Sequence, residues 1–165
     1  MAALADELVA AAGAVLDVCA RAGATVATAE SCTGGLIAAA LTAIPGSSAF
    51  VDRGVVVYSN AAKSDLLGVP SDTIARDGAV SETVARAMAD GLLVAAPVSA
   101  GVAVTGIAGP GGGSAAKPVG LVHVAAAARS GARLHERHRF NGDRDAVRLA
   151  AALAAMRLLI RVLEA

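Results

Sequence analysis

The sequence predicts an α/β fold, a three-layer α/β/α sandwich around a mixed, mainly parallel sheet. Three observations carry this reading. Segments of helical apolar spacing alternate with short β-branched runs up to Thr105. The later strand candidates, Val119–Ala127 and Ala132–Phe140, follow one another with no helix between them, so part of the sheet is antiparallel. Finally, 56% of the 165 residues are hydrophobic, much of that Ala and Val, with one Tyr, two Phe and no Trp. Small side chains of this kind pack helices closely onto a sheet. The length suits one domain, residues 1–165, with no linker, repeat or composition shift dividing it.

Each element has its own signal. Residues 3–20 place Leu4, Leu8, Ala11, Val15 and Val18 at helical spacing before Gly23, and Cys19 reads there as a small core residue. A strand over Ala24–Ala27 leads into the turn Thr28–Gly35. A helix follows from near Thr33 to Ala43, where Ile44-Pro45-Gly46 breaks it. Phe50–Tyr58 is a strand, and its run Gly54–Tyr58 is apolar enough to predict a central position covered on both faces. Asn60 is expected to cap a short helix, Ala61–Leu67, closed by Gly68. Val69–Gly78 reads as a connection. Ser81 then caps a helix whose buried stripe is Val84, Met88, Leu92 and Ala95.

Ser99–Thr105 is the next strand, and it runs into Gly106–Gly113, where five glycines and a proline in eight residues exclude regular structure. Arg133, His135, Arg137 and Arg139 share one face of the last strand, as expected of an edge protected by charge. Asn141 or Asp143 caps a final helix with Ala146, Leu149, Leu153, Met156, Ile160 and Leu163 toward the core.

Composition removes several function classes. The net charge is zero and aromatic residues are nearly absent, which argues against a nucleic-acid partner. Two cysteines, Cys19 and Cys32, are too few for a disulfide framework, and with three scattered histidines they lack metal-site spacing. No apolar run spans a bilayer, because Leu92–Val104 is interrupted by Pro97 and Gly101 and the last helix carries Arg157 and Arg161. Asp6 and Glu7 precede any basic residue, unlike a secretory signal. A soluble protein in the reducing cytoplasm is expected.

Open sheets of this kind bind ligands beyond the carboxyl ends of their strands. Glu30–Gly35, Tyr58–Lys63 and Thr105–Gly113 would meet there. In the first stretch, Ser31 is a candidate nucleophile. Glu30, Thr33, Gly34 and Gly35 are candidate ligand-binding positions, with the Thr33–Gly35 amides suited to an anion. Lys63, disfavoured as a cation near a helix start and more so were it partly buried, is a candidate general base. Tyr58 could orient it or relay a proton. Thr105 and the amides of Gly106, Ile107 and Ala108, with Gly109 beyond, could hold an oxyanion. Arg144 is a candidate for a phosphate. Each also has a structural reading: a helix cap for Ser31, a solvated helix residue for Lys63, a core residue for Tyr58. Cys32 could replace Ser31, but no histidine lies in these stretches to pair with it.

Four motifs then point to a family. Thr28-Ala-Glu-Ser-Cys-Thr-Gly-Gly35, Gly54-Val-Val-Val-Tyr-Ser-Asn-Ala-Ala-Lys63, Gly78-Ala-Val-Ser81, and Val104-Thr-Gly-Ile-Ala-Gly-Pro-Gly-Gly-Gly113 with Lys117-Pro-Val-Gly120 resemble the CinA C-terminal domain family. The likeness covers nearly the whole chain. It implies the stand-alone form, without the larger N-terminal domain of full-length CinA proteins. It also implies hydrolysis of the carboxamide of nicotinamide mononucleotide (NMN), with Ser31 as nucleophile, Lys63 as base and Tyr58 as its support. Thr105 and the following amides would bind the substrate amide. No metal or redox cofactor is needed for that chemistry, and a homodimer is expected. Two other readings stay open: a non-catalytic nucleotide-binding or regulatory module, and an amidohydrolase for another small carboxamide or ester.

Overall fold

The computed structural model describes residues 4–165, so residue 3, where the first helix was expected to begin, lies outside it. Among the described residues six α-helices and five strands form, in the order α1 Asp6–Ala22, β1 Val26–Glu30, α2 Leu36–Thr42, β2 Val51–Val56, α3 Asn60–Leu67, α4 Ser71–Asp77, α5 Glu82–Ala95, β3 Ala100–Gly106, β4 Leu121–Ala128, β5 Arg133–Arg139 and α6 Arg144–Leu163. The sheet runs β2-β1-β3-β4-β5. β1 pairs in parallel with β2 and β3, while β4 is antiparallel to both of its neighbours. Only β4 therefore opposes the common strand direction. The predicted mixed, mainly parallel sandwich is the observed one.

Helices α1, α2 and α6 cover one face. Leu8, Val15, Ile37, Leu41, Ala151 and Leu158 pack there against Val26, Val102, Val104, Val122 and Val124. The other face takes α3, α4 and α5, with Val84, Met88 and Leu92 lying on Ala27, Ala29, Ala103, Ala125 and Ala127. Alanines on that side of the sheet leave no thickness between strand and helix, so α5 lies close. Tight packing also governs α3 against α5. A Cβ added at Gly91 would stand 1.9 Å from the Leu67 carbonyl oxygen, so only glycine admits this approach.

Four expectations needed correction. β2 is an edge strand, and Val56 is 48% exposed instead of being covered on both faces. The apolar run Gly54–Tyr58 serves the strand's end: Val57, just past it, is fully buried and its N–H donates to the Glu30 carbonyl at 2.8 Å. Val69–Gly78 contains α4, whose single buried apolar residue, Ile74, leaves almost no periodic signal. Ser59, not Asn60, caps α3, with its hydroxyl accepting from the Ala62 N–H at 3.0 Å. The helix after Thr28–Gly35 also starts later than expected, at Leu36. Asp143 is the cap of α6.

The basic row on β5 does lie on an edge strand, and it faces α5: Arg133 pairs with Asp90, and His135 lies 3.6 Å from Glu82. Gly91→Ala should destabilise the fold by about 2 kcal/mol or more, because backbone and not a flexible side chain must yield. Chemical denaturation would measure it, and an unchanged midpoint would contradict the packing described.

Candidate active site

The register of the parallel strands sets the site. Glu30 is level with Val56 on one side and Val104 on the other, so β1 and β2 end together and β3 ends two residues further on, at Gly106. After β1 it turns through Ser31–Gly35 into α2. The Ser31 N–H donates to the Val104 carbonyl at 3.0 Å, and the Gly34 N–H returns to the Ser31 carbonyl at 3.0 Å. Gly34 and Gly35 have φ of +61° and +95°, in the left-handed region where a side chain would be strained. The turn thus presents the Ser31 hydroxyl at the top of the sheet.

Lys63 approaches from α3. Its ammonium stem is 1% exposed, which is exceptional for lysine. Nζ lies 3.1 Å from Ser31 Oγ, 2.9 Å from the Val57 carbonyl and 3.4 Å from the Tyr58 carbonyl. Burial lowers its pKa below the ordinary lysine value. A neutral amine has two hydrogens and one lone pair. Two carbonyls that take the hydrogens leave the lone pair for the serine hydroxyl. Tyr58 contributes its backbone to this arrangement, but its side chain is 61% exposed and does not reach the lysine.

The remaining walls come from two loops and the start of α6. Ser31, Cys32, Lys63, Thr105, Gly106 and Ala108, with Ala79, Val80 and Asn60, enclose a pocket of about 190 Å³ whose rim is Tyr58 and Arg144. Thr105 Oγ donates to the Ala79 carbonyl at 2.8 Å, so its lone pairs are free to accept. Arg144 donates to the Gly109 carbonyl at 2.8 Å and to the Tyr58 hydroxyl at 3.0 Å. It ties α6, the glycine-rich loop and the end of β2 together across the mouth.

Several sequence-predicted positions lie outside the pocket. Glu30 is fully buried and turned away, accepting from the amides of Gly35, Ile37 and Ala38. Of the Thr33–Gly35 amides expected to cradle an anion, that of Gly34 donates to the Ser31 carbonyl and that of Gly35 to the Glu30 carboxylate. Thr33 is buried, its hydroxyl has no partner among the described residues, and its carbonyl accepts from Arg148 at 3.0 Å. The Ile107 N–H donates to Leu121 at 2.9 Å and is not available to an oxyanion. Gly109 serves through the carbonyl that holds Arg144. Among the described residues, the amides of Cys32 and Ala108 donate to no protein group, and both residues line the pocket.

The sequence assigns Asn60 only a capping role, and Ala79 and Val80 no role beyond their place in a motif. The one available signal was their position beside Tyr58 and in Gly78-Ala-Val-Ser81. Cys32 lies in the pocket wall, but its thiol pKa is pushed up to about 12, by burial first, so it stays protonated. Behind the wall, His123 Nδ1 lies 3.0 Å from His135 Nε2, and burial helps hold His123 at about 4, so the pair is neutral near pH 7. No group of three or more His, Cys, Asp or Glu side chains among the described residues is placed to hold a metal ion.

The comparisons agree with one another. Residues 9–163 match the sequence profile of the CinA C-terminal domain. The chain is 55% identical over 137 residues to a CinA-like protein of Anaeromyxobacter dehalogenans, covering 83% of this chain but 33% of that one. It thus spans about a third of the length of that relative. It is 55% identical over 136 residues to the nicotinamide-nucleotide amidohydrolase PncC of Enterobacter agglomerans, covering 82% of this chain and 83% of that one. Among solved structures, the competence/damage inducible protein CihA of Agrobacterium tumefaciens superposes with a TM-score of 0.95 at 50% identity, over 98% of this chain and 99% of that one. With the profile, the relatives and the fold in agreement, the chain belongs to the CinA C-terminal domain family.

Proposed function

We propose that this chain is a nicotinamide-nucleotide amidohydrolase, converting NMN to nicotinic acid mononucleotide and ammonia in pyridine nucleotide salvage. The observation that carries the reading is the buried contact of Lys63 Nζ with Ser31 Oγ at 3.1 Å. Lys63 takes the hydroxyl proton as Ser31 Oγ attacks the carboxamide carbon. The oxyanion that forms is met by the Cys32 and Ala108 amides, the first being the N–H that follows the nucleophile on a strand-to-helix turn. Thr105 Oγ accepts from the carboxamide nitrogen. Protonated Lys63 then returns its proton to the departing nitrogen, ammonia leaves, and a water activated by Lys63 hydrolyses the acyl-serine. Arg144 is the cation at the rim and takes the substrate phosphate. The two free, buried cysteines suit a reducing, cytoplasmic setting. The reading is of one domain acting as a homodimer, and sedimentation velocity would test the oligomeric state.

Ammonia release from NMN is the direct test. Wild type should release it, and Ser31→Ala and Lys63→Ala should each lose on the order of a thousandfold in kcat. Release that survives Ser31→Ala would move the chemistry to a Lys63-activated water. No release by the wild type, with NMN still bound, would favour the binding-module reading. Arg144→Ala should raise KM about tenfold, the loss expected of a charge-assisted contact, and an unchanged KM would remove its phosphate role.

The pH dependence follows from Lys63. Its base form must be neutral, so kcat/KM should fall as pH drops through its lowered pKa. Between that value and the ordinary 10.5, the unfolded chain binds more protons than the folded one, so wild-type stability rises with pH. Lys63→Met lacks this linkage. The difference in Tm, variant minus wild type, should therefore be largest near neutral pH and shrink toward pH 10.5. A difference that is flat with pH would mean that burial has not shifted the amine.

A further inference from the structure

Glu30 lies one residue before the nucleophile, yet it touches nothing in the pocket. Its carboxylate is fully buried and accepts from the Gly35 N–H at 3.1 Å, the Ile37 N–H at 3.0 Å, the Ala38 N–H at 2.8 Å and the Thr28 hydroxyl at 3.3 Å. The start of α2 has no other side-chain cap, since Gly35 occupies the capping position. A buried carboxylate is tolerated only when hydrogen-bonded this completely, and the positive end of the helix adds to its stabilisation.

The backbone of Glu30 is fixed as well. Its carbonyl accepts from the Val57 N–H, and it stands in register between β2 and β3. The residue is thus bound at both ends, main chain to the sheet and side chain to α2. Ser31–Gly34 is a short span between these anchors. Within it, the Ser31 N–H and carbonyl are both bonded, so little freedom is left in the residue that carries Oγ.

We propose that Glu30 is the positioning residue of the nucleophile turn. By engaging the capping amide of Gly35 and two amides in the first turn of α2, it fixes the angle at which the turn leaves β1. That angle holds Ser31 Oγ against Lys63 Nζ and leaves the Cys32 amide turned to the pocket instead of bonded within a helix. A substrate carboxylate or phosphate cannot take those α2 amides, because Glu30 already fills them. This inference rests on the Ser31–Lys63 reading above. It adds that the reactivity of Ser31 depends on a carboxylate that never meets substrate.

The test is Glu30→Gln, which keeps the shape but replaces one acceptor oxygen by an NH2 group that faces amide donors. Two rates are measured at a temperature where circular dichroism shows the variant folded. One is turnover of NMN. The other is labelling of Ser31 by a fluorophosphonate, followed by intact-protein mass spectrometry, which needs no natural substrate. Both kcat and the labelling rate should fall at least tenfold while KM stays within twofold, as expected when a nucleophile is displaced without loss of binding. Retention of both rates would overturn the proposal, as would a tenfold rise in KM with labelling intact, which would make Glu30 a substrate contact.

If Glu30→Gln does not fold, Thr28→Val removes one donor to the carboxylate and carries the test. Its kcat and labelling rate should fall together by about two- to fivefold. Unchanged rates there would overturn the proposal. A wild type that is labelled at Ser31 but releases no ammonia from NMN would defeat the amidohydrolase reading alone, and Glu30 would then be judged on labelling. A wild-type Ser31 that resists labelling would overturn the positioning role, since there would be no activated serine to position.

Discussion

The site depends on an amine held where it is costly to charge. Lys63 is 1% exposed, and no carboxylate is hydrogen-bonded to its Nζ, whose protein contacts are two carbonyl oxygens and a serine hydroxyl. Burying a lysine in this way is a stability cost that most proteins avoid. The cost fits a function, because a lysine at its ordinary pKa would be protonated near neutral pH and useless as a base. The carbonyls that take its hydrogens come from Val57 and Tyr58, just beyond β2. In the proposed reaction the placement of that edge strand therefore matters as much as that of the serine.

The small side chains of the core make this placement possible. Alanines on the α5 face of the sheet, and Gly91 in α5 itself, let α3 and α5 lie close enough to carry Lys63 beneath the strand ends. On the other face, α2 is held by the Glu30 carboxylate, and α6 delivers Arg144 across the mouth of the pocket. Serine, lysine and arginine thus arrive from different layers. The sheet is the common reference: β1 and β2 end level at Glu30 and Val56, and β3 passes Val104 in register with them before ending at Gly106.

Much of this was legible before the structure. Helical periodicity located α1, α5 and α6, and the glycine-rich segment marked the loop after β3. Motifs at three strand ends brought Ser31, Tyr58, Lys63 and Thr105 into one place. Strand order was not legible, because an apolar run such as Gly54–Tyr58 looks the same in a central strand and in an edge strand whose last residues pack inward. The fate of individual amides was not legible either. Sequence shows that a strand-to-helix turn offers N–H groups, but only geometry shows that Glu30 consumes those of α2 and Leu121 that of Ile107. An acid that ends an apolar strand a few residues before a glycine pair is the pattern that could have raised the first of these.

Tyr58 keeps its place beside Lys63, but its side chain and its backbone meet different partners. Its hydroxyl, expected at the lysine, is bonded to Arg144 at 3.0 Å on the exposed rim, while its carbonyl faces Lys63. One residue therefore borders both halves of the site, with its backbone at the base and its side chain at the cation. An anion arriving at Arg144 would compete with a neutral hydroxyl for the guanidinium, and charge favours the anion. The tyrosine would then be released from Arg144 without disturbing the main-chain atoms that orient Lys63. In the proposed reaction, binding at the rim and proton transfer at the floor would in this way be tuned separately, although a single residue joins them.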